Sequence, residues 1–237
     1  MNTIIFLHGG TLNKSMWLPQ IEELKNEFHI IAIDLPRHGV NIKKPFTLES
    51  AVNIVAQYIE SENLTSKFTI VGLSLGGYVA IEYTDKYPEQ ISGLILSGCC
   101  VQYLGVMGFL AKFTTLLSSL TSQNKFEKKQ KQTLLKVSSN NIVKEIYESG
   151  LSLLGGKESL KEVIGKDFVT IVNRIDVPIL LLNGANDTLN RRYENKYLED
   201  NSNVSLKVIK DCGHLCSLEK PRLFSQEIRN FMSVINT

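Results

Sequence analysis

Six short runs of apolar, largely β-branched residues recur along this chain, with helix-patterned stretches between them. They are Thr3 to Leu7, Ile30 to Ile33, Phe68 to Val71, Ile91 to Leu96, Pro178 to Leu182 and Val204 to Ile209. A strand that is apolar on both faces must be covered on both faces, and crossover helices over a parallel sheet provide that cover. The intervening stretches have the right period. Met16 to Glu27 sets Trp17, Ile21 and Leu24 on one stripe, and Leu48 to Glu60 does the same with Ala51, Val52, Val55 and Ile59. Leu75 to Tyr87 and Pro221 to Val234 read as further helices, with a short one around Arg192 to Leu198. The expected fold is therefore α/β, a mostly parallel sheet of about six strands with helices on both faces. With 237 residues the chain can bury one large core and still carry an inserted segment.

The insert is visible as a change of texture. From about Val101 to Arg174 the chain is rich in Leu, Ser, Lys and Gly, and its apolar residues fall at helical spacing: Leu110, Phe113, Leu116, Leu117 and Leu120. Residues 101–174 are expected to form a helical cap over the functional edge of a core made from 1–100 and 175–237. Each apolar residue of the cap should pack against the core or line a pocket, with packing the default.

In open parallel sheets ligands bind beyond the carboxyl ends of the strands. Six loops occupy that edge: His8-Gly9-Gly10, Asp34-Leu35-Pro36, Ser74, Ser97 to Cys100, Asn183 to Asp187, and Cys212 to His214. Ser74 is the centre of Gly72-Leu73-Ser74-Leu75-Gly76, between an apolar run and a helical one. Such a strand-turn-helix forces its central residue into a strained conformation that exposes the hydroxyl, and a side chain at either glycine would collide with a neighbouring element.

A serine hydroxyl is a weak nucleophile that needs a base, itself oriented by a third group. His29 lies at the amino end of its strand, and the ring of His8 is expected to fix its own loop. His38 is on the correct side and competes. His214 follows the last strand, where Gly213 lets the chain swing the imidazole over the sheet edge, and it is the favoured base. Asp34, Asp187 and Asp211 are the acids at this edge. Asp187 completes the chain order Ser74, Asp187, His214 expected for a nucleophile on such an elbow, whereas Asp34 more naturally ties down its own turn. The developing oxyanion needs donors already aimed at it. The backbone N–H groups of Leu75 and Gly10 are the candidates.

Composition narrows the partners. A net charge of +2 with 21% charged residues leaves no long basic stripe. Lys125, Lys128, Lys129 and Lys131, interrupted by Phe126 and Glu127, read as a solvated helix face rather than a nucleic-acid patch. Met1-Asn2-Thr3 has no basic leader, and Gln90 to Ala111, although uncharged, carries too many Gly, Ser and Gln residues to span a bilayer. A cytoplasmic protein acting on a small molecule is expected, without nucleic-acid or membrane partners. Cys99 and Cys100 are adjacent, a poor start for a disulfide framework. Cys212, His214 and Cys216 have no second cluster to complete a metal site.

Taken together, His8-Gly9-Gly10 with Trp17, Asp34-Leu35-Pro36-Arg37-His38-Gly39, Gly72-Leu73-Ser74-Leu75-Gly76-Gly77, the Asp187 loop and Gly213-His214 resemble the α/β-hydrolase superfamily. The resemblance covers nearly the whole chain outside the insert, which corresponds to that family's variable cap. It implies a serine hydrolase with Ser74, Asp187 and His214 as triad, the amides of Gly10 and Leu75 as oxyanion hole, and no cofactor. Two departures stand out: the antiparallel strands that usually lead this family are expected to be missing, and Arg37 replaces a frequent glycine. The chemistry implied is acyl transfer to water, cleaving a carboxylic ester, lactone or thioester with a small to medium apolar group through an acyl-enzyme on Ser74. Two alternatives stay open: a non-hydrolytic enzyme of the same fold, a lyase or acyltransferase, and a ligand-binding or signalling module with slow turnover.

Overall fold

The computed structural model describes residues 1–118, 121–199 and 201–235. In chain order, β1 (Thr3–Leu7) leads through a 3-10 turn at Lys14–Trp17 into α1 (Leu18–Leu24). Then follow β2 (His29–Ile33), α2 (Leu48–Ser61), β3 (Phe68–Leu73), α3 (Leu75–Lys86) and β4 (Ile91–Ser97). Five helices come next: α4 (Gly105–Ser118), α5 (Gln123–Leu134), α6 (Asn140–Glu148), α7 (Leu153–Val163) and α8 (Phe168–Val172). The chain closes with β5 (Ile179–Gly184), α9 (Thr188–Arg191), α10 (Glu194–Leu198), β6 (Val204–Ile209), α11 (Cys216–Glu219) and α12 (Pro221–Ile235).

All six strands are parallel, in the order β2-β1-β3-β4-β5-β6. The expected sheet is the observed one. Burial follows position: β3 and β5 are buried at every residue, while the edge strand β6 alternates between covered and solvated side chains. Successive residues of each inner strand feed two separate cores. Ile5, Leu7, Ile70, Leu94 and Leu96 meet α2, α3 and α8 on one face, and Ile4, Phe6, Val71, Leu73 and Ile95 meet α1 and α12 on the other. Trp17 anchors the second core, its ring 4.7 Å from Phe6 and 5.9 Å from Phe224. Each such fully buried apolar side chain contributes about 1.5–3 kcal/mol.

The strand order sets the place of the site. β2 and β3 flank β1, so the chain reverses its direction of travel between β1 and β3, and the loops that follow those two strands sit side by side. His8-Gly9-Gly10 is thereby brought against Ser74.

The inserted helices are tied to the core at defined points. Glu158 of α7 accepts from Arg37 Nε at 3.0 Å and from the Phe46 N–H at 2.9 Å. Glu162 accepts from the Leu48 N–H at 3.0 Å, at the amino end of α2. Phe168 and Val172 of α8 join the core itself.

Two expectations need correction. Met16 to Glu27 is not one helix: a 3-10 turn hands over to α1 at Trp17, with a proline in its first turn, and α1 stops at Leu24. The described part of the apolar stripe of α4 is not packed inward, since Leu110 and Phe113 are 48% and 52% exposed. Among the residues of that helix whose side chains are described, 105–113, the buried ones are small. Ala111 is covered, and a side chain at Gly108 would collide with the Tyr103 carbonyl, so α4 approaches its neighbours on its small-residue side. The side chains of Leu116 and Leu117, and Leu120 altogether, lie outside the described residues. Among the described residues no helix is long and apolar enough to cross a membrane.

Candidate active site

Ser74 sits at φ 52°, ψ −113°, a conformation that costs a residue with a side chain about 1–3 kcal/mol. Three backbone bonds hold it there. Its N–H donates to the Ser97 carbonyl at 2.7 Å, and its own carbonyl accepts from Gly77 and Tyr78 at 3.0 and 3.3 Å to begin α3. The flanking glycines are required by space. A Cβ on Gly72 would lie 2.4 Å from the Gly76 carbonyl oxygen, and one on Gly76 would lie 2.1 Å from that of Leu7. The elbow closes only because α3 can press against β1 and β3.

On the same edge, the Nδ1–H of His214 donates to Asp187 Oδ2 at 2.7 Å. Asp187 is buried and is the N-cap of α9, where Oδ1 accepts from the Asn190 N–H and Oδ2 from Asn190 Nδ2 at 2.9 Å. Burial pushes the Asp187 carboxyl up, but the hydrogen bond and charge of His214, with both Asn190 donors, outweigh it and hold the group below its usual range. An ionised Asp187 that accepts from Nδ1 leaves Nε2 of His214 as the free ring nitrogen.

A ring of polar side chains holds this pair. Asn190 accepts from the Cys100 N–H at 2.8 Å, and Asn183 accepts from the Gly98 N–H at 2.7 Å. Asn183 donates in turn to the buried Glu194 at 2.8 Å, which pairs with Arg191. These bonds pull the loop after β4 beneath the imidazole. Gly98 has φ +60°, and a Cβ there would lie 2.7 Å from His214 Cε1. The contact leaves no room for a side chain, and the positive φ adds strain for any residue that carries one.

The remaining histidines and acids are accounted for. His38, the competitor for the base, is fully buried. It donates from Nδ1 to the Pro36 carbonyl at 2.8 Å and accepts at Nε2 from the Thr11 N–H at 3.1 Å, so neither nitrogen is free. Burial, reinforced by neighbouring His8, pushes its pKa down to about 3. His8 fixes its own loop as expected, bonded to the Gly9 carbonyl at 2.8 Å and the Leu35 N–H at 3.0 Å, with its pKa pushed to about 4 by burial. Asp34 accepts from Val40 in its own turn and also from the Lys14 N–H across the loop, at 3.2 and 2.7 Å. His29 begins β2, at the amino end. Asp211 is exposed in the turn after β6. Cys212 donates to the Ile209 carbonyl at 3.4 Å, and among the described residues no group of His, Cys, Asp and Glu is arranged to hold a metal ion.

Ser74 and Gly10 lie where two cavities meet. The smaller, about 150 Å³, is lined by Leu75, Tyr78, Tyr103, Ser159, Leu160 and Val163. The larger, about 350 Å³, is lined by Leu73, Gln130, Thr133, His214 and Glu219. Ser74 and His214 therefore open on one space, although they are far apart in the chain. The N–H groups of Gly10 and Leu75 have no hydrogen-bond acceptor among the described residues, and both residues border the smaller cavity beside Ser74. Sequence reasoning did not single out Gly98, Asn183, Asn190 or Glu219. The first two do fall in loops it marked as functional; the other two sit on short helices that follow such loops, with no local pattern to mark them.

Comparison with known proteins places the fold. Mouse monoacylglycerol lipase ABHD6 is 25% identical over 99% of this chain and 77% of its own length. A pimeloyl-[acyl-carrier protein] methyl ester esterase from Neisseria meningitidis is 25% identical over 97% of this chain and 93% of its own. Among solved structures, a thermophilic esterase from Thermogutta terrifontis superposes with a TM-score of 0.80 at 23% identity, covering 100% of this chain and 91% of that one. The esterase EaEST from Exiguobacterium antarcticum gives 0.82 at 18% identity, covering 100% and 92%. The family model for the alpha/beta hydrolase fold matches residues 2–221, and the chain belongs to that family.

Proposed function

We propose that this protein is a serine ester hydrolase that cleaves carboxylic esters, lactones or thioesters with a small to medium apolar acyl group through an acyl-enzyme on Ser74. His214 Nε2 takes the Ser74 proton as Oγ bonds to the carbonyl carbon. Asp187 stabilises the imidazolium through the bond to Nδ1, and the amides of Gly10 and Leu75 receive the oxyanion. The oxyanion then re-forms the carbonyl, the bond from that carbon to the leaving oxygen or sulfur breaks, and His214 gives its proton to the departing atom. Water repeats the sequence on the acyl-enzyme, releasing the acid and restoring Ser74.

The observation that carries this reading is the 2.7 Å bond between Asp187 and His214 on a ring that shares a cavity with the strained Ser74. The two unpartnered amides beside Ser74 support it, as do relatives named as a lipase and an esterase. The test is labelling with a fluorophosphonate together with turnover of p-nitrophenyl butanoate. Ser74 is expected to label stoichiometrically, and Ser74→Ala or His214→Ala to cut kcat by up to about 10⁶-fold with a smaller change in KM. Full esterase activity in Ser74→Ala would overturn the proposal.

A further inference from the structure

Of the two cavities that meet at Ser74, only the larger contains His214. In acyl transfer the departing oxygen collects its proton from the free ring nitrogen of the base, so it must lie on the imidazole side. Given the hydrolytic reading above, on which this step rests, the alcohol half of the substrate occupies the cavity of about 350 Å³ and the acyl chain the one of about 150 Å³.

The wall of the alcohol cavity is chemically one-sided. Among its described residues it carries one carboxylate, Glu219, and no lysine or arginine. Glu219 is half-buried at the end of α11, and its Oε2 accepts from the Gly213 N–H at 2.9 Å. That bond fixes the carboxylate next to the backbone that carries His214. It spends one lone pair of one oxygen and leaves the charge without a cationic partner among the described residues. Gln130 and Thr133 of α5 add an amide and a hydroxyl to the same cavity, so polar groups come from both the core and the insert.

A fixed negative charge in a partly solvated cavity favours a positive or donor-bearing ligand and repels a negative one. We propose that Glu219 sets the specificity for the alcohol: leaving groups that carry an ammonium or several hydroxyl donors are preferred, and those that carry a carboxylate or phosphate are rejected.

The test holds the acyl group constant and varies only the alcohol, comparing kcat/KM for propyl, 2,3-dihydroxypropyl, 3-(dimethylammonio)propyl and 3-carboxypropyl butanoates. The wild-type protein should prefer the ammonium ester over the carboxylate ester by about tenfold at low salt, as expected for charges on the order of 6 Å apart in a half-solvated site. That preference should shrink in 1 M NaCl. Glu219→Gln keeps an oxygen for the Gly213 N–H while removing the charge, so the ratio should fall to within about twofold of unity. The dihydroxypropyl ester should outpace the propyl ester in the wild-type protein and lose most of that lead in Glu219→Gln, and a lead that survives undiminished overturns the assignment of hydroxyl recognition to Glu219. Because each ratio is taken on one enzyme sample, partial misfolding of the variant cancels. A wild-type ratio near unity, or an undiminished ratio in Glu219→Gln, overturns the assignment to Glu219 even where Ser74 labels with fluorophosphonate. Absence of labelling overturns the hydrolytic reading and this inference with it.

Discussion

Histidine plays two opposite parts in this chain, and access to solvent separates them. His214 has a side chain 43% exposed and one ring nitrogen committed to Asp187. His8 and His38 are fully buried, their rings 4.9 Å apart, with both nitrogens of each committed to backbone groups. Their folded-state pKa values fall from 6.5 to about 4 and about 3, chiefly through burial. The sign of the consequence follows from proton counting. Below pH 6.5 the unfolded rings bind protons while the folded rings stay neutral. Stability is therefore fully present above that pH and is lost as pH falls toward the folded values. Between pH 7 and pH 4.5 the unfolding free energy from urea titration should drop by about 2.5 kcal/mol for each ring. His38→Gln should retain only the slope owed to His8. A stability that is flat over this range would show that the rings are not buried as neutral species. The same contrast explains what was legible at this scale. Ser74, Asp187 and His214 each follow an apolar strand, so position relative to the strand ends was enough to nominate them. Gly98 and Asn190 act through contacts with partners 85 and 90 residues distant, Gly98 with Asn183 and Asn190 with Cys100, and no local spacing encodes those.

At the scale of elements, the inner strands β1, β3, β4 and β5 were readable because they are largely apolar on both faces, the pattern of a covered parallel strand. The short helices were not. α9 and α11 have four residues each, too few for a period, and α9 exists because Asp187 caps it. The insert was readable as helical, but its inward side was misjudged, because Gly108 and Ala111 allow close approach where larger residues signalled packing. α7 is the element that couples insert to site. It lines the smaller cavity with Ser159, Leu160 and Val163, and it is held to the core by Glu158. Burial raises the Glu158 carboxyl, but the Arg37 hydrogen bond and the Phe46 N–H bring it below its ordinary value, so it remains ionised near neutral pH. Glu158→Ala removes a shared acceptor from both donors and should cost about 1–3 kcal/mol of stability. Loosening α7 should also raise KM for a short-chain ester by several-fold while leaving kcat nearly unchanged, because Ser74, Asp187 and His214 sit on the core. Steady-state kinetics and thermal melts on the same preparation check both, and a fall in kcat with KM intact would place α7 in the chemistry instead.

For the whole molecule, the reversal between β1 and β3 gathers the elbow and the amide-bearing loop at one rim, and the insert converts that rim into two chambers. The chamber assigned to the acyl chain is bounded by a rigid aromatic group. Tyr78 donates to the Val101 carbonyl at 2.8 Å and lies 4.6 Å from Phe168 and 6.4 Å from Tyr103, ring to ring, so core and insert are fastened together where the chain would end. A volume of about 150 Å³ matches a group the size of benzene, so an acyl tail of about six carbons fills it. Longer chains must displace packed side chains, and overpacking costs about 1–3 kcal/mol. With a fixed alcohol, kcat/KM should therefore peak at acyl chains of about four to six carbons and fall by about tenfold at ten. The limit is set by side chains and not by the backbone, which makes it movable. Leu160→Ala removes an isopropyl group from the wall and should shift the peak upward by about two carbons without changing the preference among alcohols, since Leu160 borders only the smaller of the two cavities. A profile that rises steadily to long chains in the wild-type protein, or a peak that stays in place in Leu160→Ala, would mean that the acyl group lies elsewhere along the rim.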